Sequence, residues 1–200
     1  MKTPDQINRK INSLNNFLDA AFREAGCCEK EPYSRGVPYL QNLFANPAEL
    51  VIAGTGEKIT SRRGHLDAQD AQAIVNNRLF SAVNVYAIGH HELLQTAGYA
   101  DRTDDLLSMV FMIRCVFAHG LFNPRWEVRD PVYQRLMQTP EKDVTLDCRK
   151  LDKVPYDLSH HQGYSGLIRL SRAVRARLLP QQEGAAGGEA TRLEDLRQEV

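Results

Sequence analysis

The sequence predicts a mainly α-helical fold, in which a long antiparallel helix hairpin precedes a small β-hairpin and a last helix. Apolar residues recur at three- and four-residue steps along much of the chain, as they do on the buried face of a helix. Between the hairpin and the last helix, turn residues and prolines separate short β-permissive segments. The chain has 200 residues, of which 42% are hydrophobic and 25% charged, as expected for a globular protein with a sizeable core.

The overall charge excludes no ligand class but favours none. Lys and Arg number 25, and Asp and Glu also number 25, so any site for a polyanion must be local. No apolar stretch approaches the roughly 18 residues of a membrane span, and the N-terminus lacks the apolar core of a secretory signal. The four cysteines have no CxxC spacing. We therefore expect a cytoplasmic protein that does not associate with membranes.

Residues 1–64 are predicted to form an N-terminal helix and an irregular segment that pack on the core. Thr3 is placed as the N-cap of the helix, Gln6 completes a capping box, and Gly26 is expected to end the helix. The apolar stripe comprises Ile7, Ile11, Leu14, Leu18 and Phe22. Glycines and prolines then interrupt residues 27–64, which leaves room only for short helices such as 39–44 and 47–52.

Residues 65–179 are predicted to form the core. A long helix is expected over 67–96, ending near Gly98, and a second from the acids at 101–104 to His119. Because the connection between them is short, the two helices should pack antiparallel.

The remaining elements follow Gly120. The segments NPRWEV (123–128) and DVTLDCRKL (143–151) are β-permissive and could pair as the small hairpin. A last helix is expected over 164–179. The tail, 180–200, is rich in Gly, Ala and Glu and is expected to be mobile.

The stretch IRCVFAHG, at the end of the second hairpin helix, carries the strongest chemical pattern. Arg114 and His119 would lie about 140° apart on an ideal helix, but Gly120 is placed to end the helix and let His119 reorient. An arginine suits phosphate oxygens, and an imidazole at a helix C-terminus suits proton transfer. The alternative is that Arg114 pairs with an acid and His119 caps the helix, and spacing alone favours that alternative.

The hairpin ending in Arg-x4-His-Gly, followed by a Trp-containing turn, a small hairpin and a last helix, resembles the HEPN (higher eukaryotes and prokaryotes nucleotide-binding) superfamily. The resemblance covers about residues 66–179 in layout, and its specific part is Arg114–Gly120. It implies a HEPN-like helical bundle and a metal-independent endoribonuclease without a cofactor. It also implies a homodimer in which two copies of the motif meet at the Arg114–Gly120 helix end.

Carried over from the family, Arg114 would stabilise charge on the phosphorane and His119 would be the general acid and base. The ribose 2′-hydroxyl would attack the phosphate. Such a protein could be a toxin or a defence component with an antitoxin or another protein partner. This chain has Cys115 where many catalytic members carry Asn, Asp or His. That difference favours the alternative hypothesis of a non-catalytic HEPN-type module that binds nucleotide, RNA or a protein partner.

Two further groups of residues are candidate sites. Arg169, Arg172 and Arg175 recur every third residue on the last helix, which fits either a solvated face or an RNA-backbone footprint. The pairs His90–His91 and His160–His161 could support a metal-dependent enzyme. Zinc requires about four convergent ligands, so ordinary hydrogen-bonded histidines are the preferred interpretation and no metal site is predicted.

Overall fold

The structure, a computed structural model, describes residues 2–29, 49–51, 58–60, 67–118, 120 and 123–180. This part of the chain is mainly helical, as predicted. The α-helices are α1 (Pro4–Glu29), α2 (Ala68–Thr96), α3 (Asp105–Val116) and α4 (Gly163–Leu178). Two small antiparallel sheets pair β1 (Glu49–Val51) with β2 (Lys58–Thr60) and β3 (Leu136–Gln138) with β4 (Thr145–Asp147).

The chain divides into two compact units. One contains the described residues of Met1–Asn16 and Asn84–Val200, and the other those of Phe17–Val83. The boundary expected between residues 64 and 65 lies outside the described residues, as does the tail at 181–200.

The unit of Phe17–Val83 holds the second part of α1, the first part of α2 and the β1–β2 pair. The prediction of a short helix over 47–52 was wrong for Glu49–Val51, which form a strand. The reason is a partner segment: Lys58–Thr60 pairs with them in antiparallel register and supplies the backbone hydrogen bonds that a helix would otherwise make internally. The helix suggested over 39–44 lies outside the described residues.

Helix α1 begins as predicted and ends later than predicted. The Thr3 amide donates to the Gln6 side chain at 2.9 Å, and the Gln6 amide donates to the Thr3 hydroxyl at 3.3 Å, which completes the capping box. Gly26 does not end the helix, which continues to Glu29. A glycine inside a helix costs only about 1 kcal/mol, and the next helix-breaking proline is Pro32.

In the unit of Met1–Asn16 and Asn84–Val200, α1 packs closely on α2. Gly89 faces Leu14, and a Cβ at position 89 would lie 2.6 Å from a Leu14 methyl carbon. The core of this unit joins apolar residues of all four helices with those of residues 123–156, which we call the β region. Its largest fully buried side chains include Ile11, Tyr86, Leu94, Leu106, Met109, Met112, Ile113, Trp126, Met137 and Leu146.

The loop between α2 and α3 is bounded by the predicted residues. Gly98, with φ of 91°, follows the end of α2, and the Asp104 carboxylate accepts a 2.9 Å hydrogen bond from the Leu107 amide as the N-cap of α3. The rings of His91 and Phe111 lie 5.4 Å apart. The two residues stand at similar distances from the loop, as residues do in an antiparallel hairpin.

A small hairpin precedes the last helix, as predicted, but its strands pair differently. Thr145–Asp147, within the predicted DVTLDCRKL strand, pairs with Leu136–Gln138 rather than with NPRWEV. The pairing buries Met137 against Leu146. The NPRWEV segment instead bonds to residues 153–156, where Arg125 bridges Pro155.

Helix α4 matches the predicted last helix. Gly166 is required near its start because a Cβ there would lie 1.7 Å from the His161 carbonyl oxygen. On the buried side, the Tyr86 hydroxyl of α2 donates to the Leu167 carbonyl. The apolar residues Leu167, Leu170 and Val174 are buried as expected.

Candidate functional site

Arg114 lies in the last turn of α3 and points away from the core. Eight of the twelve residues of α3 are buried, whereas Arg114 is exposed. Within the described residues it has no hydrogen-bond or ion-pair partner. A cation in the last turn of a helix interacts favourably with the helix dipole. The expected alternative, in which Arg114 pairs with an acid, is therefore not seen in the part of the chain that the structure describes.

Helix α3 ends earlier than predicted. It stops at Val116, and the Phe117 amide bonds to the carbonyls of Arg114 and Cys115 as the C-cap. Gly120 was expected to end the helix, but its φ lies outside the left-handed range that a glycine at that position supplies. The chain instead leaves the helix where Phe117 becomes buried against the β region.

Four side chains pack together where the chain leaves α3. We call them the aromatic bracket: Phe117, Trp126, Tyr156 and His161. Phe117 packs edge-on against Tyr156 with ring centroids 5.0 Å apart, and Tyr156 lies 5.8 Å from Trp126. The Tyr156 hydroxyl bonds to His161 Nε2 at 2.6 Å. The bracket therefore fixes the direction of the chain two residues before His119. His119 itself lies outside the described residues, so its relation to Arg114 stays a prediction.

Cys115 is half-buried beside Arg114. Burial raises the pKa of its thiol, the Arg114 charge partly opposes this, and the Glu127 carboxylate adds to it. The thiol is therefore protonated at neutral pH, which fits a small packing residue better than a nucleophile.

The charge of Arg114 acts on His91, a residue of α2 that the Arg-x4-His motif does not include. His91 is 5% exposed, and burial and then the Arg114 charge lower its pKa, while Glu92 opposes the shift. No described residue hydrogen-bonds to its ring nitrogens. The hairpin symmetry predicts that His91 lies opposite Phe111, one helical turn before Arg114, because residues at similar distances from the loop meet across an antiparallel pair.

Two cavities flank the outer side of α3 and share a wall of Phe111, Tyr133 and Arg102. The larger has a volume of about 350 Å³ and reaches His91 and Gln95 on α2. The smaller cavity has a volume of about 230 Å³ and reaches Cys115 and Ala118, which lie between Arg114 and His119 in the sequence. Within the wall, the Phe111 and Tyr133 rings lie 5.3 Å apart, and the Arg102 guanidinium lies 5.2 Å from the Tyr133 ring centre.

None of the three predicted arginines of α4 pairs with a carboxylate among the described residues. Arg169 donates to the Gln162 side chain at 3.1 Å and to the Ser165 hydroxyl at 3.3 Å, and Arg175 donates to the Asn12 side chain. Arg172 is exposed. Arg177, by contrast, forms an ion pair with Asp104 at 2.6 Å. The positive charges at 169, 172 and 175 are therefore not neutralised by a described carboxylate.

Three of the paired histidines take part in structural hydrogen bonds. His90 donates from Nδ1 to the Tyr86 carbonyl at 2.8 Å and accepts at Nε2 from the Ser171 hydroxyl at 3.0 Å. His160 accepts at Nδ1 from the Trp126 indole at 3.0 Å. The third is His161 in the aromatic bracket. Among the described side chains, no three His, Cys, Asp or Glu residues converge as a metal site would require.

Among the described helices, none has the length and apolar character needed to cross a membrane. Comparison of the chain with protein-family models, with curated proteins and with solved structures finds no match.

Proposed function

We propose that this protein is a HEPN-type, metal-independent endoribonuclease that cleaves RNA by attack of the ribose 2′-hydroxyl. The observation that carries the proposal is the state of Arg114. It is an exposed cation in the last turn of a mostly buried helix, with no carboxylate partner among the described residues. An arginine whose fork of donors is unoccupied is suited to the oxygens of a phosphate.

Arg114 and His119 divide the work of cleavage in this proposal. His119 removes the proton from the 2′-hydroxyl, whose oxygen attacks the adjacent phosphorus. Arg114 stabilises the negative charge on the phosphorane. The bond from phosphorus to the 5′-oxygen then breaks, that oxygen receives a proton from a protonated histidine, and a 2′,3′-cyclic phosphate remains.

The proposed active form is a homodimer joined through the Arg114–Gly120 end of α3. The outer face of this helix supports the proposal, because Arg114 and Ala118 are exposed and Phe111 and Cys115 are only half-buried. A two-fold axis beside this face would bring two arginines to one phosphate. A monomer at micromolar concentration in sedimentation equilibrium would contradict the dimer.

A biological role as a toxin or defence ribonuclease, with an antitoxin or another protein as partner, is part of the same proposal. The second candidate function is a non-catalytic module that binds nucleotide, RNA or a protein. Cys115 favours it, because a protonated, half-buried thiol is a weak hydrogen-bond partner beside the motif arginine.

The test is cleavage of mixed RNA by purified protein in excess EDTA. We expect the wild type to cleave, and His119→Ala to reduce the rate by about 10²–10⁴-fold because the general acid and base is lost. Arg114→Lys should also impair cleavage, since an ammonium does not reproduce the planar fork. Arg23→Lys is the matched control, because Arg23 is an exposed arginine already paired with Asp19.

Circular dichroism and sedimentation should show unchanged helix content and assembly in both motif variants. Equal cleavage by the wild type and both variants would show that the motif is not the site. If the wild type binds RNA without cutting it, Cys115→Asn becomes the deciding variant. Continued inactivity of that variant would favour the binding module.

A further inference from the structure

The larger cavity beside α3 has unpaired polar groups around an aromatic surface. Gln95 is exposed, and its side-chain amide bonds to no described residue. The His91 ring nitrogens likewise have no described partner, although the ring itself is almost fully buried. Phe111, which faces His91 across the hairpin, is half-buried and contributes its ring to the cavity. Polar groups that are left unpaired around an apolar surface are typical of a ligand site.

The cavity lies next to the proposed phosphate-binding arginine. Phe111 and Arg114 are three residues apart on α3, so they share a face and are separated by about 4.5 Å along the helix axis. The Arg114 charge also acts on His91, which lines the cavity. A ligand with a flat ring and an attached phosphate could therefore occupy both positions at once.

We infer that this cavity is a nucleobase subsite, in which one unpaired base of single-stranded RNA stacks on Phe111 and hydrogen-bonds to Gln95 and His91. The subsite rests on the proposed function for its orientation, because the phosphate attached to that nucleotide is the one that Arg114 binds.

The chemistry of the cavity favours a base over other ligands. Unpaired RNA bases are recognised by stacking on aromatic rings and guanidinium planes, together with hydrogen bonds to their edges. The wall of Phe111, Tyr133 and Arg102 supplies both kinds of plane. Gln95 offers a donor and an acceptor, and a neutral His91 also offers one of each, which matches the mixed edge of a base. A volume of about 350 Å³ falls within the range of small-molecule sites.

The test measures binding separately from cleavage. Short single-stranded oligoribonucleotides with 2′-O-methyl groups throughout cannot be cleaved by 2′-hydroxyl attack. A set in which one position at a time is abasic is compared with the intact oligonucleotide by fluorescence anisotropy. At one position, loss of the base should weaken binding to the wild type by roughly 5- to 100-fold, as expected when a stacked base is removed.

Gln95→Leu and Phe111→Leu probe the subsite itself. Both should bind the intact oligonucleotide about as weakly as the wild type binds the abasic one, and should bind the abasic one no more weakly than the wild type does. The matched controls are Gln69→Leu, at an exposed position near the start of the same helix α2, and Leu136→Ala, at an exposed apolar position. Both controls should show the same abasic penalty as the wild type, that is, the same loss of affinity when the base is removed. Thermal unfolding checks that Phe111→Leu remains folded.

The outcomes separate the subsite from catalysis. A penalty that the two subsite variants abolish supports the subsite even if the wild type cleaves no RNA, in which case only the catalytic proposal fails. Equal binding of the intact and all abasic oligonucleotides overturns the subsite even if RNA is cleaved. An undiminished penalty in both subsite variants also overturns it, because the recognised base would then lie elsewhere.

Discussion

Arginines lie at the two ends of helix α3, and they differ in their hydrogen-bond partners among the described residues. At the N-terminal end, Arg135 donates to the Asp105 carboxylate at 3.1 Å, to the Thr103 carbonyl at 3.0 Å and to the Ser108 hydroxyl at 3.3 Å. At the C-terminal end, Arg114 has no described hydrogen-bond partner. Arg135 joins the β3–β4 hairpin to the helix, and its charge is neutralised by Asp105. The charge of Arg114 is neutralised by no residue in the part of the chain that the structure describes.

The adjacent histidines of α2 show the same difference. Both ring nitrogens of His90 are hydrogen-bonded within the core, whereas those of His91 have no described partner and the ring lines a cavity. Since neighbouring residues on a helix point about 100° apart, one faces α4 and the other faces α3. The comparison teaches that partners, rather than residue type, separate structural polar groups from candidate functional ones.

The largest expected effect is the loss of stability in acid caused by the partnered histidines. Burial lowers the pKa of both His90 and His161 from 6.5 to about 4. Between these values the unfolded chain binds more protons than the folded one, so the free energy of unfolding falls as the pH falls from about 6.5 to about 4. Each histidine contributes about 3 kcal/mol over the whole window. Urea unfolding measured from pH 7.5 to pH 4.5 would show this slope.

His90→Gln tests how much of the pH dependence of the free energy of unfolding comes from His90. Its amide keeps hydrogen-bonding capacity but does not titrate, so the pH dependence between 6.5 and 4 should fall by roughly half. A wild-type stability that is constant from pH 7.5 to pH 4.5 would contradict the inferred neutral state of both rings.

Arg135, which contacts the start of α3, and Arg114, near the end of that helix, give the next largest effect on stability. Arg135→Gln should lower the free energy of unfolding by about 2–3 kcal/mol, because Asp105 and several carbonyls lose their donor. Arg114→Gln should change it by less than about 0.5 kcal/mol, since no described partner is lost. In the RNA-cleavage assay, Arg114→Gln should be the more impaired of the two per folded molecule. Equal losses of stability in urea unfolding would show that Arg114 is a structural residue.

The features predicted from sequence are those that short-range chemistry determines. Thr3 with Gln6, Gly98, and Asp104 define helix boundaries through contacts with residues only a few positions away. The burial of the apolar stripes follows from periodicity in the same way. The mainly helical fold was predictable because most of the chain is organised by such local patterns.

The features that were missed depend on residues distant in sequence. Thr145–Asp147 could pair with either neighbouring segment, and the burial of Met137 against Leu146 decides the partner. Helix α3 was predicted to end at His119 but ends at Val116, because Phe117 packs on Tyr156, about forty residues later in the sequence. For the candidate site, spacing identified Arg114 as a residue of interest. It could not show that the arginine has no partner among the described residues or that its charge acts on His91.

The smallest expected effect concerns the arginines of α4. Arg169→Gln, Arg172→Gln and Arg175→Gln together should weaken binding to single-stranded RNA and lower the slope of log K against log salt by about 2, since each phosphate contact to a single strand contributes about 0.7. Arg172→Gln alone should therefore lower the slope by about 0.7. Arg177→Gln removes the same charge from the same helix, but Arg177 is already neutralised by Asp104 and should leave the slope nearly unchanged. Equal slopes for Arg172→Gln and Arg177→Gln would mean that only net charge matters, and the arginine face would then be an ordinary solvated surface.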